Sequence, residues 1–423
     1  MKKIVVLFFF VYMLHAVSAQ SLLDIYKKGV VKLTPDTEYA QGNQWEKVFE
    51  TYYDTLYNRP MGNRKSIIMM PNNYVVVNHA YRNYYSLFDA TGKFVKEFGI
   101  KDKSGAQLKK TQPIEGIINN NFFTGLDNMG KMVCFDFNGN YVKTLTLNYM
   151  TRGMVPMDNN KIAVVGWVIW KDRFRDFVAI IDYQTNEQKV IWEQFTDRDN
   201  AGNNRQLFNY SYFFEKRGAI SLTTMPYISS TGLSSPPQIA YLNDRLIVAL
   251  PNSGEILTFD ANGKLLSKEN IEWGKNFISV EEQKEIQKRA IENYSKNKDQ
   301  IAAQDANSEY AKALGTMLEQ MKADLDNITT PLLVPVFSNM IKDSDGNLLF
   351  FEIPKKDGDN KFNVWVYKDG GKFVCQSSFE CDDYDLSITP SKMVFQNGYI
   401  YALQTLKNAK GNPLRLVRFK VGN

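Results

Sequence analysis

YSLFDATGKFVKEFG, Tyr85 to Gly99, decides the fold: an apolar strand, a tight turn carried by Asp89 and Gly92, then a second strand. The phrase returns as MVCFDFNGNYVKTLTL (Met132 to Leu147) and EILTFDANGKLLSKENI (Glu255 to Ile271). Looser copies are VAIIDYQTNEQKVIW (Val178 to Trp192) and NVWVYKDGGKFVCQSSF (Asn363 to Phe379). Alternating β-branched residues bounded by Asn, Asp and Gly are strand signals. Gly92 supplies the positive φ that a tight hairpin needs. Recurrence at about forty to fifty residues points to a propeller or a solenoid.

Each phrase is preceded by another pair of strands. In the first copy these are SIIMM (Ser66 to Met70) and YVVVNHA (Tyr74 to Ala80). Equivalent stretches are GIINNNFFTGLDN from Gly116, GMVPMDNNKIAVVGWVIW from Gly153 and QIAYLNDRLIVALPNSG from Gln238. SNMIKDSDGNLLFFEIP from Ser338 and SKMVFQNGYIYALQTL from Ser391 complete the set. Six copies of four strands predict an all-β fold, a six-bladed β-propeller. The sixth copy ends on a third strand, PLRLVRFKV (Pro413 to Val421), while GVVKLTP (Gly29 to Pro35) is a strand without a blade. The expectation is a ring closed by that N-terminal strand, because closure pairs edges that would otherwise stay open.

Two insertions break the spacing. Asp197 to Pro236 holds FNYSYFF (Phe208 to Phe214) and AISLTTMPYI (Ala219 to Ile228), which read as a long hairpin or as a degenerate seventh blade. Ser279 to Ile328 turns helical: Ser279 and Glu282 have capping-box spacing. Ile286, Ala290, Ile291 and Tyr294 mark one apolar face. Tyr310, Leu314, Met317, Leu318, Met321 and Leu325 mark another at close to the 3.6-residue period. The reading is a helical hairpin, either packed on the ring or serving as a docking arm.

The first nineteen residues read as an export signal: Lys2 and Lys3, an apolar run from Ile4 to Leu14, and Val17-Ser18-Ala19 as the cleavage site. The run is shorter than the roughly 20 residues of a membrane span. The expected mature domain, 20–423, is therefore periplasmic or secreted, with no membrane span. Loss of Lys2 and Lys3 takes the formal charge from +5 to +3 (5 − 2). So small a value on so long a chain gives no electrostatic footprint for nucleic acid. Lysines between Lys101 and Lys110, and at Lys355 and Lys356, read as solvated loops.

An oxidising compartment would permit a Cys375–Cys381 bridge, and the spacing leaves that open. Cys134, on a strand, reads as a buried thiol. His15 leaves with the signal, so His79 is the one imidazole of the mature chain. His-rich zinc sites lack ligands, and any Ser-His-Asp or Cys-His site would have to use His79. At the end of the apolar strand YVVVNHA, a structural histidine is the more economical reading.

On these strand–turn phrases, the export signal and the six copies, the chain resembles the secreted six-bladed β-propellers of Bacteroidetes, related in pattern to NHL-repeat and TolB-like propellers. The likeness covers nearly all of the mature chain except the insertions. It implies fold and export far more firmly than chemistry. Sialidase-type propellers carry repeated Asp boxes; Ser344-Asp345-Gly346 echoes one once, without the later Thr-Trp. NHL-type lyases use metal-binding histidines, which are too few here. Lactonase-like propellers gather oxygen ligands around a central calcium. Asn78, Asp127, Asn252 and Glu352 occupy suitable second-strand ends, although Asn and Asp also dominate ordinary turns.

No phosphate loop, paired-carboxylate motif or nucleophile elbow is visible. What remains is a binding surface where the loops after the second strands gather. Its candidates are His79, Tyr81, Arg82, Asp127, Trp167, Trp170, Arg173 and Arg175. Trp and Arg are favoured interface anchors. The functional expectation is non-catalytic recognition of a peptide, protein or glycan, without a required cofactor. Its alternatives are a calcium-dependent hydrolase at the pore and an envelope scaffold that docks partners through the helical insertion.

Overall fold

The computed structural model describes residues 21–49, 53–54, 59–60, 65–79, 84–108, 114–126, 130–170, 173–197, 208–214, 218–224, 236–271, 277–333, 335–352, 361–368 and 370–421. Strand dominates, with few helices. Four antiparallel four-stranded sheets run in chain order, and a fifth antiparallel set of four strands belongs to a nine-stranded sheet. Sheet I holds Lys65–Met69, Val75–His79, Tyr84–Phe88 and Phe94–Gly99. Sheet II holds Gly116–Ile118, Asn121–Leu126, Lys131–Phe135 and Tyr141–Thr146. Sheet III holds Met150–Pro156, Lys161–Trp170, Arg173–Asp182 and Gln188–Asp197. Sheet IV holds Gln238–Leu242, Arg245–Leu250, Glu255–Asp260 and Leu265–Asn270. Sheet V holds Asn339–Lys342, Leu348–Phe351, Lys361–Lys368 and Lys372–Glu380.

Two kinds of turn build these sheets. Between first and second strands stand Asn119-Asn120, Asn159-Asn160, Asn243-Asp244 and Asn397-Gly398, each with positive φ at both positions. This is the conformation a two-residue hairpin demands, and Asn tolerates it best among residues with a side chain. Between third and fourth strands the repeated Asp does the work. Asp136 Oδ1 accepts from the N–H groups of Asn138 (2.8 Å) and Asn140 (2.9 Å). Asp89 and Asp260 do the same for Thr91 with Lys93, and for Asn262 with Lys264. Five sheets also share a register shift just before this turn, at Leu87/Phe88, Cys134/Phe135, Val178/Ala179, Thr258/Phe259 and Val366/Tyr367. Each shift leaves one extra residue on the outer strand, a β-bulge that sharpens the local twist.

The sheets stack face to face because their middle strands are apolar on both sides. Val75, Val76 and Val77 are all essentially buried, as are Leu246 to Ala249. Each such side chain contributes about 1.5–3 kcal/mol on burial. Separate clusters join I to II through Val76, Tyr85, Phe122 and Phe135, and II to III through Phe123, Cys134, Val164 and Ile181. III meets IV through Val165, Val178, Leu246 and Val248, and IV meets V through Ile247, Ala249, Leu348 and Phe350. Polar latches reinforce the stack: Gln238 Nε2 donates to the Ser338 carbonyl (2.8 Å) and Lys342 Nζ to the Tyr241 carbonyl (2.8 Å). First strands of sheets II and III, III and IV, and IV and V lie side by side. This radial stacking of four-stranded sheets is a β-propeller arrangement.

The chain ends meet in hydrogen-bonded register. Met393–Gln396, Tyr399–Leu406 and Leu414–Val421 form an antiparallel set. Val31–Pro35 adds to its outer edge, with Leu33 opposite Val421 and Pro35 opposite Phe419. The same strand starts parallel to the edge of sheet V, Val31 opposite Phe379. Arg418 fixes the join. Its Nε and Nη2 reach Asp36 Oδ2 at 3.0 and 2.5 Å, and its guanidinium lies over Tyr39 and Tyr399. Just upstream, the helix Leu22–Tyr26 docks on sheet V: Asp345 Oδ2 accepts from Leu22 N–H (2.9 Å) and Asp343 Oδ2 from the Tyr26 hydroxyl (3.0 Å). The Asp-box echo is thus a turn and an anchor for the N-terminal segment.

In the first insertion the described backbone is a two-stranded hairpin, Phe208–Phe214 with Gly218–Thr224. In the second, the Ser279/Glu282 capping box forms at the start of the helix Val280–Gln304, followed by Glu309–Ala323. Their apolar stripes pack on one another through Ile291, Leu314, Met317, Leu318 and Met321. Cys375 and Cys381 are free thiols. Cys375 lies within the strand Lys372–Glu380 and Cys381 just after it, so strand rise alone separates them by about 20 Å, far beyond disulfide reach. Cys134 is fully buried, and burial pushes its thiol up to about 11.

Gly139 combines a φ of 79° with a backbone position where a Cβ would collide with the Gly99 carbonyl of the preceding sheet. Gly139→Ala should therefore destabilise the protein by about 2 kcal/mol or more, read as a lower urea midpoint at unchanged slope. Asp36 offers a pH-dependent counterpart. Burial works to raise its carboxyl, but the Arg418 hydrogen bonds, the Glu38 N–H and the positive charges outweigh it, so it sits below the usual value. A depressed carboxylate stabilises the fold above its unfolded value of about 3.9 and loses that contribution as pH falls through its folded value. Asp36→Asn should cost about 1.5–3 kcal/mol at neutral pH, and the gap to wild type should close in acid.

Candidate functional site

Antiparallel order places every second-strand end, third-strand start, fourth-strand end and following first-strand start on one face of the stack. Within the sheets, first-to-second and third-to-fourth strand connections are tight turns, such as Asn119-Asn120 and Asp136 to Asn140. The long connections run between sheets: Ile100 to Glu115, the segment between sheets III and IV, the helical hairpin between IV and V, and the stretch from Pro35 to Lys65.

Sheet III rises furthest on that face. Its second, third and fourth strands have 10 residues each, against 5 in Val75–His79 and 6 in Arg245–Leu250. Its first strand stops at Met150, opposite Trp167, so three strands continue alone to Trp170, Arg173 and Asp197. At about 3.3 Å per residue the projection is about 10 Å. On one side of it Arg175 is held by Glu193, with Nε and Nη2 2.8 and 2.6 Å from Oε2, and lies over the rings of Phe177 and Phe195. Phe195 is 46% exposed. On the other side Arg152 lies over the Trp167 ring, its Nη1 3.3 Å from Asp176 Oδ1.

Arg152 owes its aim to a bulge. Thr151 pairs with Gly166 and Gly153 with Val165, leaving Arg152 as the extra residue. Bulges re-aim side chains in this way. Behind the bulge, the Glu115 carboxyl lies close to the Met154 backbone amide of sheet III. Burial pushes its carboxyl up to about 7, with the Met154 bond working in the opposite direction. Two aromatic–guanidinium platforms and an acid that titrates near neutrality thus share one neighbourhood. Stacked guanidinium and aromatic planes of this kind are common in binding surfaces.

His79 is buried, its Nε2 2.9 Å from Ser86 Oγ and its ring stacked on Tyr84. Tyr81, Arg82 and Asp127 lie outside the described residues, as do the side chains of Trp170 and Arg173, whose backbones end the two long strands of sheet III. Trp167 and Arg175 fall on opposite sides of that sheet. Of the calcium candidates, Asn78 is buried and Asn252 is exposed in a turn. Glu352 spends its carboxylate on Asn363 Nδ2 (3.0 Å) and Trp365 Nε1 (2.7 Å). Among the described residues, no three His, Cys, Asp or Glu side chains gather closely enough to hold a metal ion. Sequence reasoning missed Arg152, Asp176, Glu115, Glu193 and Phe195. The one available signal was the unusual length of sheet III's apolar stretches.

No family model matches the chain, and no curated protein matches its sequence. Among solved structures, the chain is similar to a member of the DUF4221 family from Bacteroides vulgatus (11% identity, 93% of this chain and 99% of that one, TM-score 0.48). It is also similar to a protein described as exported from Bacteroides fragilis (9% identity, 93% and 96%, TM-score 0.47). A third is virginiamycin B lyase from Staphylococcus aureus (12% identity, 84% and 92%, TM-score 0.36). Among the described residues, no helix is long and apolar enough to cross a membrane.

Glu115 gives this site a pH signature. An acid whose folded value lies above its unfolded one of about 4.3 is protonated in the native state where the unfolded chain has already ionised. Stability should therefore fall between about pH 4.3 and 7 and level off above. Glu115→Gln should match wild type near pH 4 and exceed it at pH 8 in urea titrations. Equal stability at both pH values would remove the raised Glu115 carboxyl from the account.

Proposed function

We propose that this chain is an exported six-bladed β-propeller, closed by Val31–Pro35, that recognises a peptide, protein or glycan on its elaborated face without catalysing a reaction. The observation that carries the reading is the projecting edge of sheet III, where three strands continue past Met150 and hold Arg175 over Phe177 and Phe195. Support for closure comes from the Leu33–Val421 pairing and from the cluster that Ile67, Val75 and Phe88 share with Tyr401, Leu403 and Leu416. Support for export is the sequence Lys2 to Ala19.

The recognition surface centres on sheet III. Trp167 and Arg175 with Phe195 form its walls and the strand ends at Trp170 and Arg173 its tip; Tyr81, Arg82 and Asp127 belong to the proposal on sequence grounds alone. Buried His79 acts by holding the end of its strand. Arg and aromatic side chains contribute disproportionately to such surfaces because they offer large area at little conformational cost. Arg175 and Arg152 already have their guanidinium planes fixed by carboxylates, so little ordering remains to oppose binding.

The test is a panel of immobilised peptides and bacterial cell-surface glycans probed with wild type, Arg175→Ala and Trp167→Ala. Wild type should retain a subset, and each variant should bind that subset roughly tenfold or more weakly, about 1.4 kcal/mol. Lys264→Ala, on the turn face, should bind like wild type. Equal losses from both faces would sink the reading.

A further inference from the structure

The helical hairpin is a unit of its own. It joins sheets IV and V through a stem of two residue pairs, Phe277 opposite Leu333 and Ile278 opposite Leu332. Its apolar core lies between Val280 and Ile328 and, among the described residues, shares no member with the cores between the sheets. The second helix, Glu309–Ala323, supplies most of that core: Tyr310, Leu314, Met317, Leu318 and Met321 are each 5% exposed or less. It also lies along the strand Phe208–Phe214, so it has support besides its partner helix. Among the described residues, the first helix, Val280–Gln304, adds Ile291 and Ile301 to the buried apolar set.

Where more apolar residues would complete the match, the first helix buries two amides. Gln283 and Gln287 stand four residues apart, in line with Ile291, and both are fully buried. Gln283 has a use: its Nε2 donates to the Thr330 carbonyl at 2.9 Å and ties the start of the helix to the end of the insertion. Gln287 differs. Neither its Nε2 nor its Oε1 has a hydrogen-bond partner among the described residues. An amide buried in this way forfeits the hydrogen bonds that water gives it in the open, on its donor and its acceptor side alike. That penalty belongs to the closed hairpin alone, because parting the helices returns Gln287 to solvent.

We propose that the helical hairpin is a two-state arm. In its open state the first helix swings off the second, Gln287 is hydrated, and the stripe that carries Met317 and Met321 is bared while the sheets stay folded. Local opening of this kind draws on elements with few buried apolar contacts, which describes Val280–Gln304. Gln287 favours opening, and Gln283 opposes it by holding Thr330. The arm thereby controls access to an apolar surface that the closed form conceals. It does not depend on the recognition face proposed above.

Hydrogen peroxide footprinting of the full chain, read by mass spectrometry, tests it, because methionine oxidation follows exposure of the sulfur. Met132 and Met393, buried between sheets, are the internal reference. In wild type, Met317 and Met321 should oxidise roughly tenfold or more faster than that pair. Gln287→Leu removes the unpaired amide and should slow them roughly tenfold, with Met132 and Met393 unchanged. Gln283→Leu, which releases Thr330, should speed them. Hydrogen exchange on wild type gives a readout that needs no variant: amides of Val280–Gln304 should exchange well before those of Lys131–Phe135. Oxidation of Met317 and Met321 at the reference rate overturns the proposal. So does protection of Val280–Gln304 equal to that of Lys131–Phe135, or a folded Gln287→Leu variant that oxidises as wild type does.

Discussion

Sheets that are apolar on both faces cannot stand alone, and this constraint governs the whole molecule. Val75 to Val77 and Leu246 to Ala249 send neighbouring side chains to opposite faces, and all are buried. Each sheet therefore needs a partner on either side. A linear stack would leave two such faces in water, and repeat proteins that accept that arrangement carry polar caps at their ends. Here sheet I instead shares a core with the strands Tyr399–Leu406 and Leu414–Val421 at the other end of the chain. Val31–Pro35 then satisfies the outer edge of those strands, and the buried Asp36 carboxylate clamps the Arg418 backbone and side chain together.

Sidedness follows from the same geometry. Close stacking leaves little room where turns of one sheet meet the outer strand of the sheet before it, as the approach of Gly139 to the Gly99 carbonyl demonstrates. Length added to those turns would force neighbouring sheets apart. Connections on the other face leave one sheet and enter the next, so they can lengthen without disturbing the stack. Insertions as different as a β-hairpin and two helices accordingly accumulate there.

The Asp-x-x-Gly phrases made the strands, turns and repeat length legible, because each encodes a local hydrogen-bond requirement. The Ser279 capping box was legible for the same reason. The calcium candidates illustrate the limit: Glu352 has the right residue type at a strand end, yet its partners Asn363 and Trp365 lie eleven and thirteen residues on. The Cys375 and Cys381 question turned on whether the intervening chain bends, which spacing alone does not encode. Arg152 was invisible because its orientation comes from a register shift against the next strand. Its neighbour Asp176 and the supporting Glu115 reach it only through tertiary packing.

Glu115 shows how the stack and the proposed recognition face depend on each other. A neutral glutamine or an apolar residue there would spare the fold the burial of an acid. The carboxyl instead lies beside the Met154 amide just beyond the bulge, where the strand's regular pairing has been interrupted. A carboxyl beside a buried amide offers it a partner in place of water, so the bulge is supported from the adjacent sheet. The bulge in turn sets Arg152 over Trp167 and beside Asp176. Sheet II thereby positions a side chain that it does not itself carry. The geometry of the recognition edge is a property of two sheets in contact rather than of sheet III alone.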